Sequence, residues 1–386
     1  MKKLTATYRY LPLFILLVSF SVSSQTFCLN STSTYDREAL IAPYRNLDYT
    51  GYSFCVKIYV HVVRRTDSTG GQSPTDVNEI LAKLDSAFNP YQIYFDWDNT
   101  IDYINDTSKY IAPNGTIWFE NPHDDGVDIY LFDDNEALLP LLSTGGGDTN
   151  SAPERSEFYT FGYYLDENNN EQSIAKSYAL AHEMGHVLFL WHTHHGTDGQ
   201  PNANDPNLCP EYPSGSNSTT CGDYVTDTPA DPNMSTEGVD KITCEWLGAV
   251  NSPFDPDEHN IMSYSYVGCL EYFTFQQSRR MKNAMASTYL QDLSNYSTAT
   301  NPCLPPPTPL NYFPNSANQE LNLDLTDKPV ANYSYMLYDS TGIVVASGES
   351  QNVLETIDTS TLTEGIYFLH FYENGLLTIK QIIVDH

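Results

Sequence analysis

An α+β fold class follows from three features of this 386-residue chain. Val56, Ile58, Val60 and Val62 alternate with Lys57, Tyr59 and His61, the period of a half-buried strand. Val77, Ile80, Leu81, Leu84 and Phe88 then recur at helical spacing, with Thr75 placed to cap them. Beyond a stiff spacer holding Pro302, Pro305, Pro306, Pro307 and Pro309, the pattern turns to strand alone. The expected architecture is a mixed-sheet domain with helices, followed by a small all-β sandwich. At 40% hydrophobic content the chain can bury one sizeable core and one smaller core.

The elements divide the chain as follows. Residues 1–24 read as an export signal: Lys2, Lys3 and Arg9 precede a short apolar run from Leu11 to Val18 and then small residues. That run is too short to span a bilayer stably. Residues 25–50 are polar and irregular, an N-terminal segment with the character of a pro-region. The mixed domain covers 51–300, the spacer 301–308 and the sandwich 309–386. Within the mixed domain, strands are expected near 116–120, 127–132 and 157–164, with Gly145, Gly146 and Gly147 as a flexible loop. An apolar helix is expected over 174–191. Residues 192–259, rich in Gly, Pro, Asn and Asp, read as a long loop region that needs disulfides or ions to hold it. A second helix starts at Thr274 with Gln277 completing a capping box, and Met281, Met285 and Tyr289 share one of its faces. In the sandwich, Leu321, Leu323 and Leu325 alternate with polar residues. Asn374-Gly375 joins two long strands in a hairpin.

The charge balance is strongly acidic, 49 Asp and Glu against 18 Lys and Arg, for a formal charge of −31. Such a surface repels nucleic acid and anionic membranes, so neither is an expected partner. No stretch after the signal is long and apolar enough for stable membrane insertion. All seven cysteines follow the signal, which in an exported chain favours disulfides and leaves one thiol over.

The chemistry concentrates between residues 182 and 192. Ala181-His182-Glu183-Met184-Gly185-His186 contains the pattern H-E-x-x-H. On a helix, His182 and His186 stand one turn apart on one face and can share a cation. Zinc suits them, since it takes nitrogen ligands and keeps an open position in catalytic sites. Glu183 projects beside them, within reach of water on the metal, as the expected general base. His192, six residues past His186, is the candidate third ligand, with His194 and His195 as competing loop residues. Further on, Asn260-Ile261-Met262-Ser263-Tyr264 offers a methionine to floor the site. Tyr264 can reach toward the metal or the reacting carbonyl.

These segments together resemble the metzincin metalloproteases, whose pattern is H-E-x-x-H-x-x-G-x-x-H with a later Met-turn. Among them the chain is most similar to the pappalysins, through His192-Thr193-His194, Cys221-Gly222-Asp223-Tyr224-Val225-Thr226-Asp227-Thr228-Pro229, Asn260 to Tyr264, Phe273 to Gln277 and Arg280-Met281. The resemblance implies a twisted mixed sheet with an active-site helix and Met-turn, and a secreted zinc endopeptidase acting on protein or peptide substrates. It also implies a calcium site using Asp223 and Asp227, and disulfides Cys209–Cys244 and Cys221–Cys269. Phe189 departs from the family pattern, standing where a glycine is usual. The alternative reading is a catalytically inactive, zinc-containing secreted adhesion or binding protein. Tyr312-Phe313-Pro314-Asn315, Asp339 to Gly342, Leu362 to Tyr367 and Lys380 to Ile383 resemble the sorting domain of the type IX secretion system. That likeness implies the secretion machinery as a partner and a secreted or cell-surface location.

Overall fold

The computed structural model describes residues 36–386 apart from 112–116, 118–119, 135–143, 150–155, 198–200, 202–204, 289, 299–300, 304–309, 327–332, 351 and 374–375. The chain divides into two compact units, Met1–Cys303 and Leu304–His386.

The first unit is built on β1 (Ser53–Arg64), which pairs with four strands. β2 (Ile93–Asp96), β3 (Ile101–Asn105) and β4 (Val127–Leu131) run parallel to it, and β9 (Ser294–Ser297) runs antiparallel. β4 continues the sheet to the parallel β6 (Ser156–Phe161), which pairs with the antiparallel edge strand β5 (Thr144–Thr149). Val56, Ile58, Val60 and Val62 enter the main core as the alternation predicts. His61 is fully buried as well, so this strand is covered on both faces over its second half rather than half-buried throughout.

α2 (Pro74–Phe88) lays Val77, Ile80, Leu81, Leu84 and Phe88 into that core. Burying each such side chain contributes roughly 1.5–3 kcal/mol, so this face, not intrinsic propensity, holds the helix. Its cap is Ser73 rather than Thr75. Ser73 Oγ accepts the Asp76 N–H while the Asp76 carboxylate accepts the Ser73 N–H at 3.0 Å, and Pro74 takes the first helical position. A proline there needs no donor and displaces the helix start upstream.

Other expectations shift for equally local reasons. Gly145, Gly146 and Gly147 lie in β5, paired with Thr160, Tyr159 and Phe158 of β6 respectively, and are not a loop. Gly162, at φ +90°, breaks the expected strand 157–164 into β6 and β7 (Tyr163–Leu165), which pairs with β8 (Glu171–Ser173). The segment 116–120 and Tyr289 fall wholly or largely outside the described residues. The apolar helix is short: α4 spans Ala179–Val187, because Ser177 closes a separate turn and its hydroxyl accepts the Ala179 N–H at 3.1 Å. α5 (Phe275–Met285) starts as expected, with Thr274 and Gln277 forming the capping box and Met281 and Met285 buried.

The long loop region is stapled by Cys209–Cys221 within it and by Cys244–Cys269, which ties it to the chain just beyond, in place of the expected pairing of these four residues. The chain between Cys209 and Cys221 doubles back, with the Gly222 N–H donating to Cys209 O at 2.9 Å, so sequence neighbours meet first. A third bridge, Cys55–Cys303, ties β1 to the last residue of the first unit. Cys28 lies outside the described residues.

The second unit is all-β. A three-stranded sheet of β10 (Asn311–Phe313), β11 (Glu320–Asp324) and β14 (Leu354–Asp358) accompanies a four-stranded sheet. The latter comprises β13 (Val344–Ser350), β12 (Tyr333–Tyr338), β15 (Gly365–Glu373) and β16 (Leu376–Val384). Leu321 and Leu323 from one sheet meet Leu337, Leu369, Phe371 and Ile382 from the other in a single core. β15 and β16 form the expected hairpin.

Replacing Ser73 with Ala should lower the stability of the first unit by about 1 kcal/mol, with Ser73→Thr largely neutral. Thermal melts read by circular dichroism check this. An unchanged midpoint for the alanine variant would show that the capping box carries no weight.

Candidate metal centre

The first two histidines come from α4 and the third from the segment that follows it. After Val187 the helix ends in a tight reversal: Phe189 N–H donates to His186 O at 3.0 Å and Leu190 N–H to Gly185 O at 2.9 Å. Phe189 takes a left-handed φ of +72°, the conformation a glycine would adopt at no cost. The substitution is tolerated because Phe189 is only 1% exposed and belongs to the main core. Its burial, roughly 1.5–3 kcal/mol, covers a left-handed penalty of roughly 1–2 kcal/mol.

The reversal delivers His192 to the other two rings. The Nε2 atoms of His182, His186 and His192 lie 3.0–3.1 Å from one another. All three rings are buried. His182 Nδ1 donates to Ile261 O at 2.6 Å and His186 Nδ1 to Leu190 O at 2.9 Å. With those protons committed to backbone carbonyls, each Nε2 presents a lone pair to the other rings. Those two lone pairs face each other and the His192 Nε2 at hydrogen-bond distance, and a cation would satisfy all three nitrogens at once. Tetrahedral nitrogen ligands at about 2.0–2.1 Å from zinc stand about 3.3 Å apart, close to this spacing. Burial lowers His182 to about 4, and burial together with neighbouring imidazoles lowers His186 and His192 well below their ordinary value. Neutral rings are the form that ligates metal.

A methionine turn floors the site. Met262 is fully buried, and a Cβ on Gly185 would come within 2.5 Å of its sulfur. The turn is fixed by a reciprocal amide pair: Asn260 Nδ2 donates to Gln277 Oε1 and Gln277 Nε2 to Asn260 Oδ1, both at 3.0 Å. Asn260 Oδ1 also accepts the Met262 N–H at 2.9 Å, and Met262 O accepts the Thr193 N–H at 3.1 Å. The turn thereby sits beside both the first ligand, through Ile261, and the third, through Thr193. Sequence reasoning read Gln277 as a cap alone; its second task has no sequence signal.

The remaining candidates separate clearly. Glu183 is buried beside His182 on α4. The Tyr264 ring lies 4.5 Å from that of His192 and 6.2 Å from that of His182. His194 stacks on His192 at 4.8 Å, outside the nitrogen triangle, and His195 pairs with Asp205 at 3.1 Å. Asp223 is buried, with Oδ1 accepting from Val225 N–H and Thr228 Oγ1. Asp227 is not with it: its two oxygens accept Thr274 Oγ1–H at 2.6 Å and Gln276 N–H at 2.9 Å, anchoring the start of α5. Asp223 Oδ2 lacks a hydrogen-bond partner, as does Oε2 of buried Glu211, a residue no motif flagged. A second histidine group, His61, His123 and Asp128, differs in kind from the triad. There both His61 nitrogens and His123 Nδ1 face carboxylate oxygens at 2.7–2.8 Å, which hydrogen bonds explain without an ion.

Comparison with known proteins fits this geometry. The family model of pregnancy-associated plasma protein-A, a metallopeptidase family (the pappalysins), matches residues 147–286. A secretion system C-terminal sorting domain matches residues 311–385. An extracellular metalloprotease of Podospora anserina is 27% identical over 282 residues, covering 67% of this chain and 84% of the relative. Extracellular metalloproteases of Sordaria macrospora and Neurospora crassa are 26% and 28% identical, each over 58% of this chain and 73% of the relative.

Gly185→Ala sets two effects against each other. Alanine gains about 0.5–1 kcal/mol in a helix interior, but the clash with Met262 should cost about 1–3 kcal/mol. Net destabilisation in denaturant titration is the expected result, and a more stable variant would contradict the packing described.

Proposed function

We propose that this chain, a metalloprotease with a pappalysin-family peptidase domain and a C-terminal secretion sorting domain, is a secreted zinc endopeptidase. His182, His186 and His192 would hold the zinc, and Glu183 would act as general base. The supporting observation is the triangle of Nε2 atoms, 3.0–3.1 Å on each side, with two of the opposite ring nitrogens tied to carbonyls. Zinc bound there supplies Lewis acidity toward water and a substrate carbonyl.

The protein's own groups do the rest. Glu183 takes a proton from the attacking water as the new C–O bond forms, and delivers it to the departing amine when the tetrahedral state collapses and the peptide C–N bond breaks. Tyr264 donates a hydrogen bond to the oxygen that becomes negative in the tetrahedral state. The substrate backbone lies extended along β5, the antiparallel edge strand of the sheet neighbouring α4. The sorting domain addresses the chain to the type IX secretion machinery. Among the described residues no helix is long and apolar enough to cross a membrane.

Glu183→Ala should retain about one zinc per chain and lose roughly 10²–10⁴-fold in kcat/KM on a peptide substrate. Full activity in that variant would remove Glu183 from the mechanism; loss of zinc along with activity would assign it a different role.

We also propose that calcium is held by Asp223 with Glu211 in place of Asp227. Burial pushes Glu211 up to about 7, and burial pushes Asp223 well above the ordinary carboxylate range. Such groups favour the folded state below their unfolded pKa, and that stability is lost as pH rises through the folded value. In chelator the thermal midpoint should therefore fall between about pH 5 and 8. Calcium should restore it most at the alkaline end, and Glu211→Gln should blunt both effects. A midpoint at pH 8 that ignores calcium would rule the site out.

A further inference from the structure

We propose that Glu38 is a positioning residue for the third histidine of the metal centre, acting through Trp191 and Arg280. The inference rests on the metal centre proposed above and adds a residue from a distant part of the chain.

His186 and His192 are joined by the reversal through Phe189, Leu190 and Trp191, which no regular ladder stabilises. Two contacts from outside hold it. Arg280, on α5, donates from Nε to Phe189 O at 2.8 Å. The Trp191 Nε1–H donates to Glu38 Oε1 at 2.6 Å, although the two residues are 153 apart in sequence. Glu38 sits in the short α1 (Arg37–Ile41) and closes the arrangement by ion-pairing Arg280 through both its oxygens. Both partners are nearly sealed from solvent, with side chains 8% and 7% exposed. Arg45 also pairs with Glu38, from the more exposed side. Next door, the Arg37 guanidinium lies 5.5 Å from the Phe189 ring and 4.9 Å from the Trp191 ring.

One carboxylate therefore orients the guanidinium that holds the left-handed residue and fixes the indole adjoining His192. Without it, Arg280 would be a buried charge missing its partner, and the Trp191 N–H would lose its acceptor. Both losses fall on the five residues between the second and third ligands. Burial works against ionising Glu38, but Arg280, Trp191 and Arg45 outweigh it and keep the carboxyl below its ordinary range. The short segment from Asp36 to Arg45 thus belongs to the machinery that aims His192, and processing that removed Glu38 would weaken the site.

The test measures the zinc dissociation constant of the full chain by competition with a chromophoric chelator, well below the melting temperature. Glu38→Gln should weaken zinc binding about 10–100-fold, the scale for groups that orient metal ligands. Trp191→Phe, which removes only the N–H donor, should weaken it by roughly 3–10-fold. Lys57→Ala on β1, which breaks an exposed ion pair with Asp125, should leave it within about twofold of wild type. A merely structural role for Glu38 would lower the melting temperature without moving the zinc constant. Wild-type zinc affinity in folded Glu38→Gln would overturn the inference, as would wild-type affinity in Trp191→Phe if the first variant fails to fold. A wild-type chain that binds no zinc would instead overturn the metal centre itself.

Discussion

Three imidazole nitrogens gathered within 3.0–3.1 Å of one another are the constraint on which the rest of this structure depends. Left alone, the lone pairs of two of them repel each other, and those two rings are held from behind. Ile261 O fixes the first ring and Leu190 O the second. The two carbonyls belong to the Met-turn, 79 residues on from His182, and to the reversal directly after α4, so one distant and one adjacent segment set the tautomers of the H-E-x-x-H helix. The reciprocal amides of Asn260 and Gln277 then tie the Met-turn to α5. Arg280 of α5 ties back to the reversal through Phe189 O. The site is a closed loop of short polar contacts around the three Nε2 atoms, mounted on a sheet whose apolar face anchors α2 and α4.

Phe189 shows how magnitudes decide a local departure. A left-handed non-glycine residue is costly, and on backbone terms alone the chain should avoid it. The ring, however, is buried in the main core, and its burial outweighs the strain. The departure therefore leaves the histidine triangle intact, which removes the ground for reading the chain as a site that has lost its chemistry. The cost reappears elsewhere, as a reversal that needs Arg280 to satisfy its carbonyl.

Much of this was legible in the sequence because it is encoded locally. The spacing of His182 and His186, the capping box at Thr274, the alternation in β1 and the hairpin of β15 and β16 all follow from periods of 3.6 or 2, or from turn chemistry. What was hidden depends on tertiary placement. The glycines of β5 carry no side-chain signal, so their pairing with β6 reads as a loop. The disulfide partners depend on how the chain folds back at Cys209 and Cys221, which no spacing dictates. Glu211 and Glu38 lie in polar stretches where an acidic residue is unremarkable until the fold buries it. Asp227 resembles a partner of Asp223 in the sequence, yet the start of α5 claims both of its oxygens.

X-ray absorption at the zinc edge tests the central claim most directly, because it reads the ligand atoms without reference to activity. The account predicts three imidazole nitrogens at about 2.0–2.1 Å and one further light atom completing the shell. A shell containing sulfur at about 2.3 Å, or fewer than three imidazoles, would contradict it.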